Sequence, residues 1–143
     1  MNRLLEKSRV LFLDTGTVVS LLQMNQEYYP VVSSVLDYAY ENNVTLLVSN
    51  ITLFEISRKA YAAKEGVLAR QYREFFEHSR NVKSCEVSGE IAVKAAEFAA
   101  KNLSTEEALR LSTAYVCGAD CILTDCAAMR DLTDVPVVML DEV

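Results

Sequence analysis

The sequence has few of the residues that break or crosslink a chain. It contains 4 glycines, 2 prolines and no tryptophan among 143 residues, and 51% of its residues are hydrophobic. This composition excludes collagen-like and Pro/Gly-rich disordered proteins. No apolar run approaches the roughly 18 residues that span a bilayer, and the segment MNRLLEKSRV has no signal-peptide core. We therefore expect a soluble cytoplasmic protein with a single domain over residues 1–143.

Motifs for nucleotide binding and nucleophilic hydrolysis are also absent. The chain has no G-x-x-x-x-G-K or G-x-G-x-x-G loop and no G-x-S-x-G turn. The single histidine, His78, lies among charged residues and is expected to be solvated. The four cysteines form no C-x-x-C pair and have no histidine near the last three, so we expect small buried side chains and neither zinc nor disulfides: Cys85, Cys117, Cys121 and Cys126.

Positive charge is scarce but unevenly distributed. The net charge is −6, which argues against strong nonspecific binding of nucleic acid. The segment Arg58–Lys83 nevertheless has seven basic and three acidic residues, a balance of +4, whereas the remainder has seven basic and seventeen acidic residues, a balance of −10. This basic segment is a candidate phosphate-facing surface, and a pair of solvated helix faces explains it equally well.

Short apolar runs alternate with amphipathic segments along the whole chain. The runs have the length and composition of strands buried on both faces and cover Val10–Leu13, Val44–Val48, Cys121–Thr124 and Val135–Leu140, with Val82–Val87 as a candidate edge strand. The segments between them include a helix from Asn50 to about Lys64, ended by Gly66, and a helix over Leu68–Ser79. This alternation predicts an α/β protein, with a three-layer α/β/α fold around a central parallel sheet of four to five strands.

Acids follow the first two predicted strands. Asp14 ends the run VLFLD, and Glu55 lies in SNITLFEISRKA among apolar neighbours. The carboxyl ends of parallel strands share one edge of a sheet, and α/β proteins bind ligands there. Asp14 also has the position of a helix N-cap, which is its alternative role. A buried carboxylate without a partner is costly, so Glu55 implies a nearby cation or metal ion.

Glu107 and Asp125 occupy later positions of the same kind. Glu107 begins the helix STEEALRLSTAY, where its spacing from Ser104 is also that of a capping box. Asp125 follows the strand CILT, where forming a turn is its ordinary alternative. Acids that converge repel one another unless a cation neutralises them, and Mg²⁺ takes such oxygen ligands. The pattern favours metal-assisted phosphodiester hydrolysis, with four catalytic and metal-binding residues: Asp14, Glu55, Glu107 and Asp125.

Four stretches, in this order, resemble the PIN domain: LFLDTGTVVSLL, SNITLFEISRKA, STEEALRLSTAYVCGADCILTDC and VPVVMLDEV. The resemblance covers essentially the whole chain and is nearest to the VapC-like toxin nucleases of bacterial and archaeal toxin–antitoxin pairs. It implies an α/β/α fold and cleavage of single-stranded RNA that depends on Mg²⁺ or Mn²⁺. It also implies a homodimer and an antitoxin protein, whose arginine or lysine could replace the charge of the metal in the acid site.

The resemblance also assigns roles by position. Asp14 and Glu55 match the first two acids of the family, and Glu107 falls where the family usually has aspartate. A glutamate at that position keeps the charge but adds a methylene group.

Two positions depart from the family pattern. Gly16 stands where asparagine is usual, and Cys126 stands where the last acid is usual, with Asp125 one place earlier. Two interpretations therefore remain open. One is a metal-dependent endoribonuclease, the toxin of a toxin–antitoxin pair. The other is a catalytically impaired PIN-fold protein that acts as an RNA-binding or protein-interaction module.

Overall fold

The computed structural model describes residues 1–143 and contains a five-stranded sheet with helices on both faces. All strands are parallel and lie in the order β3-β2-β1-β4-β5. Their bounds are β1 Val10–Leu13, β2 Thr45–Ser49, β3 Val82–Cys85, β4 Cys121–Thr124 and β5 Val137–Met139. The predicted three-layer α/β/α fold with a central parallel sheet is confirmed.

Seven α-helices connect and cover these strands. Their bounds are α1 Arg3–Glu6, α2 Thr15–Leu22, α3 Tyr29–Asn42, α4 Asn50–Ala62, α5 Gly66–His78, α6 Gly89–Ala99 and α7 Thr105–Val116. Two short 3₁₀ turns follow β4 and β5, at Ala127–Met129 and Leu140–Glu142. None of the helices is both long and apolar enough to cross a membrane.

Side chains of β1 alternate between two hydrophobic cores, one on each face of the sheet. Leu11 and Leu13 lie in the core that α2, α3, α4 and α5 cover, whereas Phe12 lies in the core under α6 and α7. All three are at most 2% exposed. Burial on both faces explains why the strands appear in the sequence as uninterrupted apolar runs.

The order of the strands places one site at the centre of the sheet. From β1 the chain proceeds outward to β2 and β3, and then crosses to β4 on the other side of β1. The helices α6 and α7 of this crossing lie on the opposite face from α4. The carboxyl ends of β1 and β4 therefore form the switch point at which open α/β sheets bind ligands.

Several predicted bounds differ from the structure by one or a few residues, and three of the differences have a local explanation. Gly66 begins α5 and does not end α4, because Lys64 reverses the chain with a φ of 58°. Strand β5 covers only Val137–Met139, since Pro136 has no N–H to donate and supplies only its carbonyl, which accepts from Ile122. Strand β3 ends at Cys85, before the N-cap of α6.

Candidate functional site

Asp14 lies at the switch point with its side chain completely buried. Its backbone N–H donates to the carbonyl of Leu123 on β4 at 3.0 Å, and its side chain is 0% exposed. Asp14 occupies the N-cap position of α2, but its side chain makes no capping hydrogen bond. Instead, Oδ1 accepts from Nε of Arg110 at 2.8 Å and Oδ2 accepts from the hydroxyl of Thr124 at 2.6 Å. The alternative interpretation of Asp14 as a side-chain cap is therefore wrong.

Glu55 reaches the same place from the second turn of α4. Its side chain is 11% exposed, and both carboxylate oxygens accept from Nη1 of Arg110, at 2.7 and 3.0 Å. The sequence predicted a cation beside this buried acid, and the structure supplies one from the chain itself. We call the group of Asp14, Glu55 and Arg110 the arginine-bridged centre.

Arg110 is the functional residue that the sequence analysis missed. It projects from α7 and is 7% exposed. Burial alone lowers the pKa of an arginine, but Asp14 and Glu55 raise the pKa of Arg110 by more, so that its net shift is upward. The signal was its position in ALRLSTA, where a lone arginine interrupts an otherwise apolar and small stretch. A charged residue there is buried with a partner or not buried at all.

Threonine hydroxyls complete the hydrogen bonding around the centre. The hydroxyl of Thr15 lies 2.8 Å from that of Thr52 and 3.4 Å from Oε1 of Glu55. Thr124 donates to Asp14 and accepts from the backbone N–H of Cys126 at 2.9 Å. No buried side-chain nitrogen or oxygen atom in the protein lacks a hydrogen-bond partner. The centre is therefore a closed polar network in an otherwise apolar interior.

Glu107 is engaged at the start of α7. Its Oε1 accepts from the backbone N–H of Ser104 at 2.9 Å, and the hydroxyl of Ser104 accepts from the backbone N–H of Glu107 at 3.1 Å. The capping box that the sequence offered as the alternative role of Glu107 is thus present. The hydrogen bond from Ser104 lowers the pKa of Glu107, and a smaller contribution in the same direction comes from a hydrogen bond donated by the thiol of Cys126.

Cys126 contacts Glu107 where the family pattern has an acid. The thiol donates to Oε2 of Glu107 at 3.2 Å. Burial, and then the neighbouring carboxylate, raise the pKa of Cys126 to about 11. The thiol is therefore protonated at neutral pH and contributes no negative charge to the edge of the sheet.

Asp125 and Gly16 form a second, more exposed contact. A β-carbon built on Gly16 would lie 2.3 Å from the carboxylate atoms of Asp125, so Asp125 occupies the space that a side chain at position 16 would enter. The two departures from the family pattern are therefore coupled in space, because the glycine leaves the room that the shifted acid occupies. The side chain of Asp125 is exposed to solvent.

The described arrangement does not fit a divalent ion. Asp14 and Glu55 are the oxygen ligands that Mg²⁺ and Mn²⁺ prefer, but Arg110 binds both and no buried polar atom is left unpaired. No group of three or more histidine, cysteine, aspartate or glutamate side chains is arranged to hold a metal ion. The assignment of metal ligands to Asp14, Glu55, Glu107 and Asp125 stays a prediction.

Known structures share this fold, although sequence comparisons find no relative. No protein-family model matches the chain, and no curated protein sequence matches it. VapBC2 from Rickettsia felis, solved with a DNA fragment from its promoter, matches with a TM-score of 0.70 and 15% identity over 91% of this chain and 98% of that chain. A toxin–antitoxin complex from Klebsiella pneumoniae matches with a TM-score of 0.65 and 18% identity over 93% and 99% of the two chains.

A third neighbour is a nuclease by its own description. VapC20 from Mycobacterium tuberculosis, a toxin that cleaves the sarcin–ricin loop, matches with a TM-score of 0.62 and 14% identity over 78% of this chain and 86% of that chain. At these identities the likeness shows the fold. The chain has the same α/β/α fold as these VapBC and VapC structures, which is the fold that the resemblance of its sequence motifs implied.

Proposed function

We propose that this protein is a PIN-fold protein of the toxin–antitoxin type that binds single-stranded RNA, and that metal-dependent cleavage is impaired in it. The observation that carries the proposal is the arginine-bridged centre, in which Arg110 binds Asp14 and Glu55 at 2.7 to 3.0 Å. A divalent ion at these carboxylates would have to displace a buried guanidinium. The neutral thiol of Cys126 removes a further charged ligand.

The outer face of α4 supports RNA as the ligand. Phe54, Arg58 and Tyr61 share this face at helical spacing. The two aromatic side chains are 55% and 65% exposed, and the guanidinium of Arg58 lies 5.1 Å from the centroid of the Phe54 ring. Exposed aromatic rings beside cations are the usual platform on which single-stranded bases stack. All seven basic side chains of the segment Arg58–Lys83 are exposed as well.

Protein partners belong to the same proposal. We propose an antitoxin partner, because the similar structures include toxin–antitoxin complexes. We also propose a homodimer, which the resemblance of the sequence implies, and a cytoplasmic location, as expected from the sequence. An antitoxin of this protein would not need to insert its own arginine among the acids, since Arg110 already supplies that charge.

The proposal is tested by the fluorescence anisotropy of a labelled single-stranded RNA of mixed sequence. Replacing Phe54 or Tyr61 by alanine should weaken binding by about 5- to 150-fold, the range for loss of one base–aromatic stack. Tyr115→Ala is the matched control. Tyr115 is 44% exposed and also lies beside a cation, since Nζ of Lys94 is 4.8 Å from the centroid of its ring. It belongs to α7, however, and not to the proposed RNA-binding face of α4. Equal losses in all three variants, or none, would contradict RNA binding on α4.

An active endoribonuclease is the second candidate function. The observation in its favour is that Asp14 and Glu55 do meet at the carboxyl edge and bind one cationic group. In that case Mg²⁺ or Mn²⁺ is the cofactor and RNA phosphodiester hydrolysis is the reaction, with the catalytic and metal-binding residues predicted from the sequence: Asp14, Glu55, Glu107 and Asp125.

Cleavage of the same RNA, with Mn²⁺ or with EDTA, separates the two candidates. Impaired cleavage predicts that the unmodified protein and Asp14→Asn are equally inactive. A cut that EDTA and Asp14→Asn both abolish would instead support the ribonuclease. A large gain of cleavage in Cys126→Asp would attribute part of the impairment to the lost acid.

A further inference from the structure

One guanidinium joins the two helix layers at the carboxyl edge of the sheet. Arg110 belongs to α7 on one face, Glu55 belongs to α4 on the other, and Asp14 directly follows the strand β1 between them. Nε and Nη1 of the guanidinium bind the two acids separately. The planar fork of an arginine suits this arrangement, because it presents donors to two carboxylates at once.

The charge that remains after pairing is also accounted for. Two carboxylates and one guanidinium leave a formal charge of −1 in a site whose side chains are at most 11% exposed. Asp14 lies at the N-terminus of the eight-residue helix α2, whose positive dipole end favours an anion. The hydroxyls of Thr124 and Thr15 donate to the two acids. No further cation is needed to hold the centre together.

We infer that Arg110 is the resident cation of this acid site, in the place that a divalent ion would take between Asp14 and Glu55. The carboxyl edge is consequently folded without metal, and the site becomes a divalent-cation site only when the guanidinium is removed. The inference rests on the impaired-cleavage half of the proposed function and is independent of its RNA-binding half.

The test combines calorimetric titration with MnCl₂ and urea unfolding at increasing MnCl₂. The variant is Arg110→Leu, and the matched control is Arg58→Leu, which removes an exposed arginine that pairs with Glu106. We expect Mn²⁺ to bind Arg110→Leu at least about a hundredfold more tightly than the unmodified protein, because no buried ion pair has to be broken first. The urea midpoint of Arg110→Leu should rise with Mn²⁺, whereas those of Arg58→Leu and the unmodified protein should not.

A second pair of variants locates any binding and covers a failure to fold. Arg110→Gln keeps a hydrogen-bond donor but removes the charge, and it should also bind Mn²⁺ more tightly than the unmodified protein. It replaces Arg110→Leu in the test if that variant does not fold. Adding Asp14→Asn to either variant should abolish the gain. Mn²⁺ binding by the unmodified protein that matches the variants and is lost in Asp14→Asn would overturn the inference, as would variants that neither bind Mn²⁺ nor gain stability from it.

These results are distinguishable from failure of the proposed function. Impaired cleavage is measured on RNA with the unmodified protein, whereas Arg110 variants that fail to bind Mn²⁺ overturn the inference and leave that cleavage result unchanged. Loss of RNA binding in Phe54→Ala is measured on the outer face of α4 and does not depend on Mn²⁺. RNA binding that fails in every assay would leave the Mn²⁺ result for Arg110→Leu unchanged.

Discussion

Helices α4 and α7 are joined by two arginine–glutamate pairs of opposite direction. In the interior, Arg110 of α7 binds Glu55 of α4 at 2.7 Å, with side chains 9% and 11% exposed. At the surface, Arg58 of α4 binds Glu106 of α7 at 3.2 Å, with side chains 52% and 38% exposed. The same two residue types therefore link the same two helices once in the protein interior and once at the solvent-exposed surface.

The two pairs differ in whether water can solvate the charged groups when their partner is absent. Water solvates Arg58 and Glu106 when they separate, so that their pair adds little to stability. Glu55 and Arg110 have no such alternative, because they are buried and share the site with Asp14. The interior pair must be complete or the fold has an uncompensated charge, which makes it the part of the edge most sensitive to substitution.

Among the variants of the two pairs, Arg110→Leu should have the largest effect on the free energy of unfolding. We expect it to lower the free energy of unfolding by about 3–5 kcal/mol without added metal, because it leaves Asp14 and Glu55 buried without their cation. Arg58→Leu should cost no more than about 1 kcal/mol. Urea unfolding followed by circular dichroism measures both. Equal losses in the two variants would mean that the interior pair relaxes to solvent and that burial does not distinguish the two.

The strands and the two acids Asp14 and Glu55 could be predicted from the sequence, but the pairing of Arg110 with these acids could not. Four-residue apolar runs such as Cys121–Thr124 define strands by themselves, and a carboxylate among apolar neighbours, as at Glu55, already requires a cation. Which cation it is depends on how α7 packs across the edge from α4, and this follows from the crossing between β3 and β4. No local pattern around Arg110 contains that information.

The two acids outside the arginine-bridged centre, Glu107 and Asp125, show a different limit of sequence analysis. Glu107 has a capping-box spacing and a family position at once, and the sequence alone does not decide between them. In the structure, the carboxylate of Glu107 accepts hydrogen bonds from the backbone N–H of Ser104 and the thiol of Cys126. Asp125 and Gly16 are far apart in the chain, so their contact could be found only in three dimensions.

Thr124→Val tests whether the interior centre depends on its hydroxyl donors as well as on Arg110. Thr124 and Thr17 are both fully buried and both donate one hydrogen bond, and Thr124 also accepts one from the backbone N–H of Cys126, which valine would not replace. The acceptor of Thr124 is the Asp14 carboxylate at 2.6 Å, and that of Thr17 is the neutral carbonyl of Leu123 at 2.7 Å. We expect a loss of about 1.5–3 kcal/mol for Thr124→Val and about 0.5–1.5 kcal/mol for Thr17→Val. The reverse order in urea unfolding would show that the charge on Asp14 does not strengthen its hydrogen bonds.

Glu107→Gln should have the smallest effect, and its dependence on pH and salt sharpens the contrast with the surface pair. Hydrogen bonds from Ser104 and Cys126 lower the pKa of Glu107. A carboxyl whose folded pKa is lowered adds stability above its unfolded pKa, and that stability is lost as the pH falls through the folded pKa. Glu107→Gln should therefore cost about 1 kcal/mol at pH 7, because an amide oxygen accepts these hydrogen bonds more weakly than a carboxylate does. The cost should be progressively smaller in acid.

The adjacent variant Glu106→Gln serves as the control for Glu107→Gln. Glu106 acts on the exposed guanidinium of Arg58, so any cost of its substitution should disappear in about 1 M salt, where the screening length is about 3 Å. The cost of Glu107→Gln should persist in salt, because its partners donate through direct hydrogen bonds at 2.9 and 3.2 Å. If salt abolishes both costs equally, Glu107 is held by long-range charge like its neighbour, and the closed hydrogen bonding of the edge does not extend beyond Arg110.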